Sequence, residues 1–318
     1  MREMKVGNEI AISVKQVKKS FKKKPVLKGV DIEVEKGSIF ALLGSNGAGK
    51  TTLIKIMTTL LKLDQGQVKI GGYDVQKDSL AARRLFSLTG QFAATEEDLT
   101  GRRNLQIIGE LNHLKQVDKK STELLKKFHL EEAADKLVSS YSGGMRRRLD
   151  IAMSLMSEPE IIFLDEPTTG LDPQNRAAMW EMIKSLRDTG KTIFLTTQYL
   201  EEAEALADKI AILNDGIIIK EGTATELKSS LPQGMIEFSF QRYEELSAAK
   251  ELLKEYRLTE NKDNLTLAVA TNGSIQQLSF IFNQLNEAAI PIASFTQKLP
   301  TLEDAFYTFI GENAKEAK

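Results

Sequence analysis

The residues Gly44-Ser45-Asn46-Gly47-Ala48-Gly49-Lys50-Thr51 carry the clearest chemistry in this sequence. Glycines at three of these positions let main-chain N–H groups turn inward on oxyanions. A helix starting at Lys50 points its positive end at the same place. The pattern is that of a phosphate loop, with Lys50 reaching the β- and γ-phosphates of a nucleotide and Thr51 ligating Mg²⁺. Thr52 is counted with the nucleotide-binding residues. A second signal is the run Ile161-Ile162-Phe163-Leu164 ending in Asp165-Glu166-Pro167. Here a buried strand delivers two carboxylates. Asp165 is expected in the Mg²⁺ shell, and Glu166 is expected to orient and polarise an attacking water. Taken alone, such a strand end is as readily an ordinary acidic turn; the phosphate loop shifts the balance to catalysis. The third signal is Tyr141-Ser142-Gly143-Gly144-Met145, where Ser142 is an N-cap residue and two glycines leave N–H groups bare at a helix start. One chain cannot easily aim two such loops at one nucleotide.

These groups need rigid elements to hold them. The apolar run at residues 39–43 predicts a buried strand before the glycine loop, and Leu53, Ile54, Met57, Leu60 and Leu61 predict a helix after it. β-Branched residues between positions 10 and 34 alternate as short antiparallel strands. Residues 100–137 read as mostly helical. Residues 192–196 read as a strand preceded by a helix over 177–187, and Asn214-Asp215-Gly216 marks a hairpin. A boundary is placed near residues 229–233. Beyond it the pattern predicts strand 236–240, helix 244–256, strand 265–269, helix 275–288, strand 290–295 and helix 302–310, with a frayed tail from residue 312.

Bulk properties narrow the function. The 318 residues suit one large domain plus a smaller one, and 42% hydrophobic content supports a core without suiting a membrane-embedded chain. Lys+Arg 43 against Asp+Glu 44 leaves a net charge of -1, so no basic field argues for nucleic acid. The absence of cysteine excludes disulfides, thiolate metal sites and a cysteine nucleophile. His113 and His129 make a poor metal pair and are read as solvent-facing or lightly packed. No run reaches the roughly 20 apolar residues of a membrane span, and the polar, lysine-rich first residues do not read as a signal segment. The run Arg146-Arg147-Arg148 is read as a solvated face, the other reading being a phosphate attractor or a brace of the helical region.

Phosphate loop, carboxylate strand and Ser-Gly-Gly loop, in this order, resemble the ABC ATPase family over residues 10–227. The resemblance implies a P-loop α/β core with an antiparallel β subdomain and a helical subdomain (residues 92–155) within an ATP-binding domain of residues 1–230. Residues 231–318 form a small α+β domain beside it. It implies a homodimer with two ATP sandwiched head to tail, each between the phosphate loop of one copy and Ser142, Gly143 and Gly144 of the other. Phe21 matches the aromatic that stacks on adenine, with a plain core role as the alternative. Gln91 matches the glutamine linking γ-phosphate and Mg²⁺ to the membrane partner, and Asp172 matches the loop crossing the dimer interface. Gln198 stands where the family usually has a histidine; it can donate a hydrogen bond to a phosphate oxygen but cannot titrate.

The stretches 141–149, 197–203 and 300–306 resemble the daunorubicin-resistance-type exporters. That resemblance implies a separate polytopic permease and a peripheral position on the cytoplasmic face of the membrane; with Gln91 as the link to that partner, Phe92 and the segment to Leu99 are expected to form part of the docking surface. The alternatives are a non-transport ABC ATPase acting on ribosomes or DNA, and a weakly hydrolysing regulatory module. No sustained heptads support a chromosome-type ATPase.

Overall fold

Apolar alternation near the start of the chain becomes two long strands, β1 (Ile10–Phe21) and β2 (Lys24–Glu35), rather than several short ones. They pair antiparallel, and β1 also pairs with β4 (Gln65–Ile70), which carries the two-residue β5 (Tyr73–Asp74). Register shifts around Val14 to Val17 accommodate Gln16, whose φ is 48°. Such bulges bend a strand without breaking the burial of Ile12, Val14 and Val17 on one face.

A second sheet has the strand order β10-β9-β3-β8-β7-β6. Its members are β3 (Ile39–Leu43), β6 (Phe86–Thr89), β7 (Ile161–Asp165), β8 (Thr192–Thr197), β9 (Lys209–Asn214) and β10 (Ile217–Gly222). All pairings are parallel except the β9–β10 hairpin. Strands β3, β7 and β8 are buried at every residue, and apolar residues run consecutively through 39–43, 161–164 and 193–195 rather than alternating. The linking helices are α1 (Lys50–Met57), α2 (Ser79–Arg83), α3 (Gly101–Leu111), α4 (Val117–Lys127), α5 (Gly143–Ser154), α6 (Pro173–Asp188) and α7 (Leu200–Leu206). Helix α6 starts earlier than the predicted residue 177, because Asp172 accepts from Asn175 N at 2.9 Å and Pro173 fills the first turn.

Helices α3 and α4 both end on histidine. His113 and His129 are exposed, with φ of 55° and 52°. Their amides donate to Glu110 O and Lys126 O, and the next residues donate five back, Leu114 to Gly109 O and Leu130 to Leu125 O. That is the Schellman arrangement, and it gives both histidines a terminating role.

The structure, a computed structural model, describes residues 9–22, 24–91, 94–230, 234–298 and 300–316. It divides into units Met1–Thr223 and Ala224–Lys318. The division precedes the expected boundary at residue 230, because helix α8 (Ala224–Ser229) packs with the C-terminal helix. In the second unit, β11 (Gly234–Ser239), β12 (Leu258–Asn261), β13 (Thr266–Thr271) and β14 (Ser294–Lys298) form an antiparallel sheet in the order β12-β13-β11-β14. Helices α9 (Tyr243–Leu252) and α10 (Ile275–Glu287) bury Leu246, Ile281 and Leu285 in its core, and α11 (Leu302–Glu316) runs on through the stretch expected to fray. Strand β12 escaped the sequence because only Leu258 of its four residues is apolar. Ile290 and Ile292, predicted as strand, pack on that core ahead of β14.

The β9–β10 turn braces the phosphate-loop end of the fold. Gly216 has φ 80°, its N–H donates to Ala48 O, and Lys28 N donates to Gly216 O. A Cβ there would lie 2.3 Å from Val26 O. Gly216→Ala should therefore destabilise the first unit by more than about 2 kcal/mol, combining left-handed strain with main-chain overlap. Urea unfolding followed by Trp180 fluorescence, the sole tryptophan, reads this; an unchanged midpoint would refute the bracing role.

Candidate functional site

Between β3 and α1 the chain turns through Gly47 (φ 83°) and Gly49 (φ 114°). A Cβ on Gly49 would meet Leu27 Cδ2 at 2.8 Å, and one on Gly44 would meet Leu213 O at 2.5 Å. The loop is held by Ala48 N donating to Ser45 O and by Gly44 N donating to Thr197 O. Helix α1 has no side-chain cap and no acidic residue in its first turn. Its first N–H groups are left for an external acceptor. Asn46, Gly47, Gly49, Lys50, Thr51, Thr52, Gln91 and Glu166 line a cavity of about 180 Å³, below the usual size of a pocket that encloses a whole ligand. It suits the phosphate end of a nucleotide, with the nucleoside lying across open surface. Phe21 is 47% exposed at the end of β1 with Lys19 Nζ 5.7 Å from its ring centre, so it is a surface ring and not a core residue.

Lys50 lines this cavity. Its ammonium donates to Gly44 O at 2.7 Å and Ser45 O at 3.2 Å, and pairs with Glu166 Oε1 at 3.3 Å. Both partners are almost out of water, at 4% and 9% side-chain exposure. Glu166 takes φ 50°, a left-handed conformation rare outside glycine. Two acceptors pin its N–H, Thr196 O at 3.1 Å and Thr196 Oγ1 at 3.2 Å, while Thr169 Oγ1 donates to its Oε2. Asp165 Oδ1 accepts from Thr196 Oγ1 at 2.5 Å and from Thr51 Oγ1 at 3.4 Å. Thr51 and Asp165 thus place oxygen donors together, and Gln91 lines the same cavity as Thr51. Among the described residues no group of three or more His, Cys, Asp or Glu could hold a metal by itself. That donor set fits Mg²⁺, which keeps waters and takes few protein ligands beside phosphate oxygens.

The other expected residues stand elsewhere. Ser142 caps α5 by accepting from Met145 N at 3.2 Å, and is exposed with Gly143, beside which a Cβ would meet nothing within 4 Å. Gly144 is buried, and a Cβ there would strike Asn175 Oδ1 at 2.5 Å. Asp172 is exposed, and hydrogen bonds from Asn175 hold its carboxyl below the usual carboxylate range. None of these residues lines the cavity. Gln198 is half-buried just after β8 and is also absent from the lining. Phe92, expected in a docking surface, lies outside the described residues.

The ABC transporter family model matches residues 27–169. A daunorubicin resistance ATP-binding protein of Streptomyces coeruleorubidus is 41% identical, over 96% of this chain and 98% of its own length. A linearmycin resistance ATP-binding protein of Bacillus subtilis is 32% identical, over 96% of this chain and all of its own. The chain belongs to the ABC transporter family. It is an ATP-binding, ATP-hydrolysing subunit of the exporter type. Among solved structures, an ATP-binding cassette captured as a dimer after hydrolysis, bound to ADP and Pi, aligns with TM-score 0.61 at 27% identity, covering 67% of this chain and 98% of that one. An ATP-binding subunit of an ABC transporter aligns with TM-score 0.62 at 29% identity, covering 69% of this chain and 92% of its own.

Three buried polar groups of this ABC subunit stand behind its site, and the sequence singles out only the first, as part of an arginine run. Arg147 is the first, and it corrects the solvated-face reading of the arginine run. Its guanidinium is buried and donates to Pro167 O, Gly90 O, Asp165 O and Asp150 Oδ2. Arg146 pairs with Glu97, and Arg148 reaches Gly144 O and Phe128 O. Asp150 is the second; burial raises its carboxyl, while Ala94 N and Arg147 favour the charged form. An acid amid Leu149, Ile151 and Ala152 was the available signal. Glu202 is the third, a fully buried carboxyl that accepts from Thr168 Oγ1 at 2.8 Å and Trp180 Nε1 at 3.2 Å. Burial drives its pKa upward, against the donors around it.

That shift fixes a sign. A carboxyl whose folded pKa is raised stabilises the fold most below its unfolded value and loses that contribution as pH rises through the folded value. Glu202→Gln keeps an acceptor for Thr168 and Trp180 without ever ionising. Across the interval above about pH 4.3, wild type should lose stability relative to Glu202→Gln. Melting temperatures of both proteins against pH test this; parallel curves would contradict it.

Proposed function

We propose that this subunit works as one half of an ATP-closed homodimer, which rides on a separate polytopic permease at the cytoplasmic face of the membrane and drives export of amphipathic, drug- or lipid-like molecules. The observation that carries the dimer is the division of the site. The phosphate cavity holds Lys50, Thr51, Gln91 and Glu166, while Ser142, Gly143 and Asp172 of the same chain are exposed away from it. Each copy then presents two half-sites, and a second copy completes both. The cargo class follows relatives whose names refer to daunorubicin, doxorubicin, linearmycin and Nod factor. No helix of the described residues is long and apolar enough to cross a membrane, and the separate permease follows from the resemblance to the exporter ATPases.

Within the closed site Lys50 exchanges its carbonyl and carboxylate partners for β- and γ-phosphate oxygens. Glu166, aimed by its left-handed backbone, holds and polarises the water in line with the γ-phosphate. Thr51, Asp165 and Gln91 would hold Mg²⁺, which would supply positive charge to offset that of the phosphate oxygens. Gln198 offers an amide hydrogen bond to the γ-phosphate but no titratable group, so the catalytic electrostatics rest mainly on Lys50 and Glu166. Phe21 stacks on the adenine.

Glu166→Gln should bind Mg-ATP and remain dimeric while turnover falls by roughly 10²–10⁴-fold. Lys50→Ala should lose both binding and turnover. Affinity capture of Glu166→Gln with Mg-ATP from detergent-solubilised native membranes should recover a polytopic membrane protein in equal amount. Recovery of ribosomes or DNA-repair proteins without one would leave the ATPase standing and remove the transport role.

A further inference from the structure

One guanidinium touches the main chain on both sides of Glu166 and on one side of Gln91. Arg147 Nη1 donates to Gly90 O at 2.5 Å, immediately before Gln91. Arg147 Nη2 donates to Asp165 O at 3.2 Å and Nε to Pro167 O at 2.9 Å, immediately before and after Glu166. Its salt-bridge partner Asp150, one turn along α5, accepts from Ala94 N at 3.1 Å and so holds the far side of the Gln91 segment. Both side chains are nearly dry, at 8% and 6% exposure. Arginine suits this position because its planar fork presents several donors in fixed directions, which the point charge of a lysine cannot do.

The same helix carries something else. Helix α5 runs unbroken from Gly143 to Ser154, with Ser142 as its cap. The exposed Ser142–Gly143 loop therefore stands at the end of the rod that Arg147 and Asp150 fasten to the Gln91 and Glu166 main chain. A shift of either segment has to stretch charge-assisted hydrogen bonds in a low-dielectric interior or carry α5 with it. We propose that the Arg147–Asp150 pair is a positioning unit that couples the nucleotide state of a chain's own phosphate cavity to the Ser142–Gly144 loop it presents to the partner copy, so that the two ATP sites act cooperatively. This rests on the two-copy reading above. Arg147 touches no nucleotide atom in this scheme; it acts through the segments it grips.

The test uses the purified full chain with Mg-ATP, measuring hydrolysis against ATP concentration and, separately, ATP affinity by fluorescence titration. Wild type should give a Hill coefficient well above 1 and bounded by 2, the number of sites. Two variants are compared. Arg147→Lys keeps the charge beside Asp150 but loses the fork, and Arg147→Gln with Asp150→Asn replaces the pair by neutral groups and leaves no buried charge unpaired. Circular dichroism selects preparations that are folded. Each variant should fall to a Hill coefficient of about 1 while ATP affinity changes by less than about threefold. A merely structural contact would lower stability without separating these readouts. A folded, ATP-binding variant with the wild-type coefficient would overturn the coupling role. Wild type itself at a coefficient of 1 would overturn the two-copy reading, and this inference with it.

Discussion

The ion pair between Lys50 and Glu166 constrains the whole first unit. Two charges nearly out of water are tolerable only when each neutralises the other, and removing one leaves an expensive orphan. The pair does not join neighbouring strands. Lys50 follows β3 and Glu166 follows β7, with β8 between them in the sheet. Only correct parallel register across all three strands brings the two groups to 3.3 Å. The apolar runs of β3, β7 and β8 therefore have a positional role as well as a packing one. A one-residue slip would move every side chain to the opposite face.

Around that pair, the carboxyl ends of the parallel strands collect the candidate site residues. This is where an open α/β sheet leaves a crevice for a ligand. The phosphate loop leaves β3, Gln91 follows β6, Asp165 and Glu166 close β7, and Thr196 and Gln198 lie at the end of β8. Loops of this kind depend on backbone shapes that cost energy in isolation. Gly49 and Gly216 occupy theirs without a clash, whereas Glu166 holds φ 50° against its own side chain. Its N–H is shared by two Thr196 oxygens, and this local network fixes the strained conformation.

A second layer of polar contacts makes the site part of a larger mechanical unit. Arg147, Asp150 and Glu202 are buried polar side chains that bond to main chain or side chains of the catalytic loops. They connect α5 and α7 to the strand ends. Because interiors are close-packed, such connections transmit displacement rather than absorb it. The exposed start of α5 is tied through these contacts to the segments that carry Gln91 and Glu166.

The sequence by itself marked the candidate site residues and much of the framework. The phosphate loop, the acidic strand end and the Ser-Gly-Gly loop were legible because each needs particular residue types within a few positions, and the buried strands because they are continuous apolar runs. The Asn214-Asp215-Gly216 turn was legible for the same local reason. What tertiary structure decided are properties that depend on partners distant in the chain. Arg147 looked like one member of a solvated charge run, and only its proximity to Gly90, Asp165 and Pro167 made it a buried clamp. Phe21 could have been core or surface until the position of β1 left it exposed. β12 and the start of β14 depend on neighbours in the sheet, since short polar strands carry no period of their own. Local spacing encodes what one segment can bind, while long-range packing decides which charged groups lose their water and which main-chain segments they hold.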